Sequence, residues 1–115
     1  MISGIFSAEF ISNRNGAGCG VAIFSGNTVH DGDSSHYYRG KYRLDEKNQI
    51  AGTIEVFKYS QLSNSVFGPL DRFKLILNGI VSLDNNAFEL SGQVQGQPNL
   101  MITISLKKMD DLIEA

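Results

Sequence analysis

The chain has 115 residues, a formal net charge of −2, 42% hydrophobic and 19% charged residues, and one cysteine, Cys19. That length suits a single domain able to bury its own core. The composition excludes wholesale disorder, and the acidic balance disfavours direct nucleic-acid binding, which needs a basic excess to meet phosphates. No intrachain disulfide can form. The first residues lack a basic leader, Glu9 interrupts their apolar stretch, and no run approaches the ~18 apolar residues of a spanning helix, so a cytoplasmic protein without a membrane segment is expected.

Apolar runs and turn signals alternate along the whole chain. The first run covers residues 4–11 and ends at Asn15-Gly16. A second, 20–24, is followed by Ser25-Gly26-Asn27 and a short strand, Thr28-Val29-His30. Asp31-Gly32-Asp33 reads as the next turn, then come a run at 37–44, a polar turn at 45–48 and a run at 50–59. A loop at 63–69 leads to a run at 73–81, Asp84-Asn85-Asn86 to one at 88–94, and Gln97-Pro98-Asn99 to the last, 100–106. Glycine, asparagine and aspartate tolerate or favour turn geometry, and these clusters separate the runs at strand-like intervals.

The best alternation puts Leu100, Ile102, Ile104 and Leu106 on one face, with Phe73, Leu75 and Leu77, and Phe88, Leu90 and Val94, behaving alike. A two-residue period with one apolar face marks half-buried antiparallel strands. Short connections make sequential neighbours pair, and eight such strands leave two bare edges unless the sheet closes. The chain is therefore all-β, a single antiparallel up-and-down barrel of about eight strands over residues 1–115. Gly20, Gly40, Gly52 and Gly92 lie inside strand runs, where glycine permits strong coiling or close backbone approach. Met109, Leu112 and Ile113 stand at helical spacing, predicting a short C-terminal helical turn over residues 108–115.

Chemistry-bearing residues gather in one place, at His30, Asp31, Asp33 and His36. These donors suit a divalent ion, but the closing glutamate of a calcium loop is missing and a glycine turn braced by its aspartates is the plainer account. Cys19 sits between glycines with no strand-to-helix elbow, and a lone strand cysteine behaves as a small buried hydrophobe. Nothing assembles a nucleophile, base and orienter, so no catalytic residue, cofactor or metal is assigned. Arg39, Lys41 and Arg43 form a cationic stripe opposite Tyr38, Tyr42 and Leu44, and solvent exposure explains it. Inside, Phe6, Phe10, Tyr42, Phe57 and Phe73 are candidate lining for a cavity. A barrel this narrow fits either a solid core or one small ligand.

Gly4-Ile5-Phe6, Phe10-Ile11-Ser12-Asn13, Gly18-Cys19-Gly20-Val21, Gly26-Asn27, Gly32-Asp33, Tyr38 with Gly40 and Tyr42, and Tyr59 together resemble the GrlR family over nearly the whole chain. Its namesake is a negative regulator of a type III secretion gene cluster. The resemblance implies a lipocalin-like barrel, homodimeric and non-enzymatic, that represses by binding a transcriptional activator. It also brings in a lipid-like ligand for the interior. The namesake's activator contact is an acidic Glu-Asp-Glu-Asp stretch, where this chain has Asp45, Glu46, Lys47 and Asn48. The resemblance makes that loop the candidate partner contact, with only two acids and an opposing lysine.

Overall fold

The computed structural model describes residues 2–61, 65–68, 70–82 and 84–114; part of the loop expected at 63–69 lies outside them. Eight strands run in chain order: β1 (Gly4–Ser12), β2 (Ala17–Ser25), β3 (Thr28–Gly32), β4 (His36–Leu44), β5 (Gln49–Lys58), β6 (Arg72–Val81), β7 (Ala87–Val94) and β8 (Gln97–Asp110). Each pairs antiparallel with the next, and β1 pairs with β8 through Phe10↔Ile104 and Ala8↔Leu106, closing the barrel. Closure pairs each of these strands on both sides, so the sheet has no bare edge along the ladder and its apolar face turns inward.

Alternation decides the faces. Phe6, Ala8 and Phe10 of β1, Leu75 and Leu77 of β6, Leu90 and Val94 of β7, and Ile102, Ile104 and Leu106 of β8 are all buried inside. Phe6 meets Phe24 at 5.0 Å and Phe88 at 5.7 Å, edge to face, and Phe24 meets Tyr42 at 5.7 Å. These rings fill one half of the interior. Across that end lies the N-terminal segment: Tyr42 Oη donates to Gly26 O at 2.6 Å and accepts from Ile2 N at 3.2 Å. Ile2 is fully buried.

The turns follow residues that tolerate a left-handed backbone. Asn15, Asn48 and Asn85 take φ near +60°, as does Gly26, so the side chains best suited to that region hold these corners. Gly92 answers a tighter demand: a Cβ there would overlap the Ile76 carbonyl of β6. Strong coiling brings β6 and β7 too close for any side chain at that point.

Three expectations change. Asp31 belongs to β3 rather than to the turn, and its cross-strand partner is Tyr38. The turn near residue 97 is Gln95-Gly96, with Gly96 at φ 81°, and Pro98 lies in the exposed start of β8. No helix forms at the C-terminus among the described residues, because β8 continues to Asp110, pairing Lys108 with Phe6 and Asp110 with Ile5. Backbone groups bonded to a neighbouring strand are not free for a helical turn. Met109 is 58% and Ile113 95% exposed. Among the described residues no helix is long and apolar enough to cross a membrane.

Replacing Gly92 by alanine is expected to destabilise the barrel by about 3 kcal/mol, since backbone must move to admit the methyl group. Urea unfolding followed by far-UV circular dichroism measures this, and a midpoint equal to that of the unaltered protein would contradict the close approach.

Candidate functional site

The half of the barrel away from the aromatic plug is not filled. A cavity of about 320 Å³ opens at that mouth, with Phe10, Val56, Phe73, Leu75, Ile102 and Ile104 among its apolar walls. Deeper in, a void of about 30 Å³ extends from Asp31 toward Tyr42, Leu77 and Leu106. Small residues help leave the space, because Gly16 and Gly18 border it with no side chain to project into it.

A short segment covers part of this mouth. Ser65 and Gly68 exchange backbone hydrogen bonds at 3.1 and 2.9 Å, forming a tight turn. Phe67 packs edge to face on Phe73 at 5.7 Å. Ser12 Oγ donates to Val66 O at 2.6 Å and accepts from Arg14 N and Gly16 N, tying the covering segment to the β1–β2 turn.

The polar groups at the mouth come from the β3–β4 connection. Asp33 builds it: Oδ1 accepts from Ser35 N at 2.9 Å and His36 N at 2.8 Å, and Oδ2 accepts from Tyr38 Oη. Burial works to raise the Asp33 pKa, but the Tyr38 hydroxyl and the two backbone donors outweigh it and hold the carboxyl below its ordinary value. Tyr59 Oη donates to Asp33 O, and Tyr59 N to Ser35 O, so the loop is anchored from β5 as well. Burial and the same Asp33 bond push the Tyr38 hydroxyl strongly up. It stays protonated.

Two buried atoms have no hydrogen-bond partner among the described residues: Asp31 Oδ1 and His36 Nε2. His36 is 2% exposed. Burial lowers its pKa, with Asp33 opposing and Lys58 adding to the effect, so the imidazole is neutral near pH 7. Its Nδ1 lies 2.6 Å from Ser35 Oγ and 3.9 Å from Asp33 Oδ1, and with a neutral ring the latter is not an ion pair. When Ser35 Oγ donates to Asp33, Nδ1 carries the proton and Nε2 is an acceptor. Burial pushes Asp31 up from 3.8 to about 8, partly offset by the Gly32 backbone N–H and reinforced by Asp33.

The metal-type cluster is thus divided by strand parity. His30 is exposed on the outer face of β3, while Asp31 and His36 turn inward. Among the described residues no three His, Cys, Asp or Glu side chains stand close enough to share an ion. Cys19 is exposed rather than buried, because it occupies an outward position of β2.

Of the proposed lining, Phe10 and Phe73 face the cavity, Phe6 is packed in the aromatic plug, and Tyr42 borders the small void. Phe57 is corrected to the outer surface. It stacks on Tyr37 at 5.1 Å, with the Arg72 guanidinium 4.9 Å from its ring centre. Its neighbour Val56 takes the inward position. Asp45, Glu46, Lys47 and Asn48 form the β4–β5 turn at the opposite end of β4 from His36. Asp45 Oδ1 is committed to the turn itself, accepting from Lys47 N and Gln49 N at 2.8 and 2.9 Å, whereas Glu46 and Lys47 are exposed. Beside the turn, Arg43, Asp45, Gln49, Ile80 and Glu89 line a broad outer concavity of about 1070 Å³, open to solvent.

No protein-family model matches the chain, and no curated protein is significantly similar to it.

Asp31 binds its proton more tightly in the folded chain than in the unfolded one. Its contribution to stability is full below the unfolded value of 3.8 and is lost as pH rises to about 8. His36 acts with the opposite sign, lost as pH falls below its ordinary 6.5, so the comparison with Asp31→Asn isolates the carboxyl. Asp31→Asn is expected to match the unaltered protein near pH 4 and exceed its unfolding free energy by roughly 3–5 kcal/mol at pH 9. Equal stabilities at pH 9 would show that the carboxyl is solvated.

Proposed function

We propose that the protein is a non-enzymatic binding barrel that takes a small, largely apolar molecule into the cavity at the mouth formed by β2, β3 and β4. The observation that carries this reading is the cavity itself. About 320 Å³ lies at the small end of ligand-site volumes, and its walls combine apolar side chains with two unpartnered polar atoms, the mixture a ligand site uses for burial and orientation. Asp33, Ser35 and Tyr38 are engaged in building the loop at the mouth, which leaves Asp31 and His36 as the polar groups that face a ligand.

A second reading makes the chain a GrlR-like cytoplasmic regulator, a homodimer that restrains transcription by holding a protein partner such as a transcriptional activator. It is favoured by the exposed β4–β5 turn at Glu46 and Lys47 and the outer concavity next to it. The two readings are compatible, since the cavity and the turn lie at opposite ends of β4, the first serving as sensor and the second as contact.

Native mass spectrometry of protein purified from its host is expected to reveal a retained small molecule, and a thermal-shift screen of neutral apolar compounds to raise Tm by roughly 10 °C at a hundredfold excess over Kd. No adduct and no shift across the screen would dismiss the cavity as a site. For the regulator reading, Glu46→Lys is expected to abolish co-purification of the partner activator while Asp45→Asn, which keeps an acceptor for the turn, weakens it less. Undiminished recovery with Glu46→Lys would remove the loop from the interface.

A further inference from the structure

The cavity walls have a one-sided polar chemistry. Asp31, Asp33 and His36 face it, and among the described residues that line it there is no lysine or arginine. The nearby cation, Lys58, is held 3.6 Å from Asp71 at the rim. Asp33 has both carboxyl oxygens occupied by internal donors, so it presents charge without a vacant acceptor. Asp31 differs: Oδ1 is buried and unpartnered, and on the next strand the 2%-exposed His36 offers Nε2, also unpartnered. With Ser35 Oγ donating to Asp33, His36 Nε2 is an acceptor, and Asp31 Oδ1 becomes a second one when its carboxyl is ionised. A buried acceptor without a donor is destabilising, and two such groups in one cavity ask for a ligand that donates.

We infer that the ligand of this cavity carries a protonated amine, placed between Asp31 and His36, on an apolar and preferably aromatic body. This deepens the binding-barrel reading and rests on it. An ammonium supplies three donors and a positive charge, which satisfies the two vacant acceptors and balances Asp31. A carboxylate head, as on a fatty acid, meets two acids and no lining cation, and an alcohol supplies one donor for two acceptors. The apolar body packs against Phe10, Tyr38 and Phe73, where edge-to-face contacts of the kind already present between Phe10 and Tyr38 at 5.7 Å are continued. Burial favours neutral Asp31 before the ligand arrives, so amine binding draws the carboxyl into its ionised form and releases a proton. The other titratable groups around it are Asp33 in the loop, His36 and Tyr38 on β4, Cys19 on β2, Lys58 on β5 and Tyr59 just beyond.

The test is isothermal titration of the full chain at pH 6.5 with 2-phenylethylamine, 2-phenylethanol and phenylacetate, matched in body and differing in head group. The expected result is an amine Kd at least tenfold below that of the alcohol and of the carboxylate, proton release seen as a dependence on buffer ionisation enthalpy, and loss of both in Asp31→Asn. That variant removes a buried carboxyl without changing its shape, and circular dichroism confirms its fold. If the alcohol binds as tightly as the amine, the cavity reading stands and the head-group assignment is overturned. If amine affinity survives unchanged in Asp31→Asn, the assignment is likewise overturned. Failure of all three compounds to bind overturns the assignment together with the cavity reading.

Discussion

The hydrogen-bonded seam between β1 and β8 is the constraint on which the rest of the molecule depends. Until it forms, the sheet has two unpaired edges and an apolar face that no second layer covers. Once it forms, the sheet has a fixed girth, and the interior volume becomes a given to which side chains must be fitted. The length of β8 follows from the same seam: Lys108 and Asp110 find partners on β1, so Met109 between them stays in the strand. A local preference for a helical turn amounts to a fraction of a kcal/mol per residue. It cannot compete with ladder hydrogen bonds that would be left open beside a neighbouring strand.

Within that girth the two ends of the barrel are filled differently. Phe6, Phe24, Phe88 and Tyr42 interlock at one end, and the chain start is drawn across them by the tyrosine hydroxyl. At the other, Gly16 and Gly18 border the cavity without a side chain, and space remains. Asp33 secures this open end with four donors from its own neighbourhood. Because that acid does the structural work, the buried carboxyl of Asp31 is left without a structural role. The contrast between two aspartates separated by one glycine is the basis for separating scaffold from site.

The strands are legible because one phase of most of them is filled almost entirely by large apolar residues, while the other mixes polar and apolar ones. Residues 100–106 and 73–77 show this, and their inward faces coincide with the sequence periodicity. Sequence favours an inward Phe57 because β5 is apolar on both phases: Ile54 and Val56 share one face with Lys58, while Phe57 lies between Glu55 and Tyr59. An inward lysine with a rim partner disguised the buried face. Asp31 was unreadable for another reason. Asp-Gly-Asp looks symmetrical as sequence, and which acid closes the loop is decided only by where β3 ends. The pocket's covering segment had no local signal either, since it depends on Ser12 reaching Val66 across 54 positions.

A seam between the first and last strands also sets the order of events during synthesis. β1 leaves the ribosome before the strand that must flank it on one side has been made, so no subset of early strands reproduces the closed interior. The contacts that complete the fold are among the most distant in the chain, which places the barrel with slow-folding, high contact-order topologies. For as long as β8 is missing, β1 keeps an open edge with Ile11 on its outer face. Loss of β8 therefore leaves β1 with an unpaired edge, the kind of template on which another strand can pair.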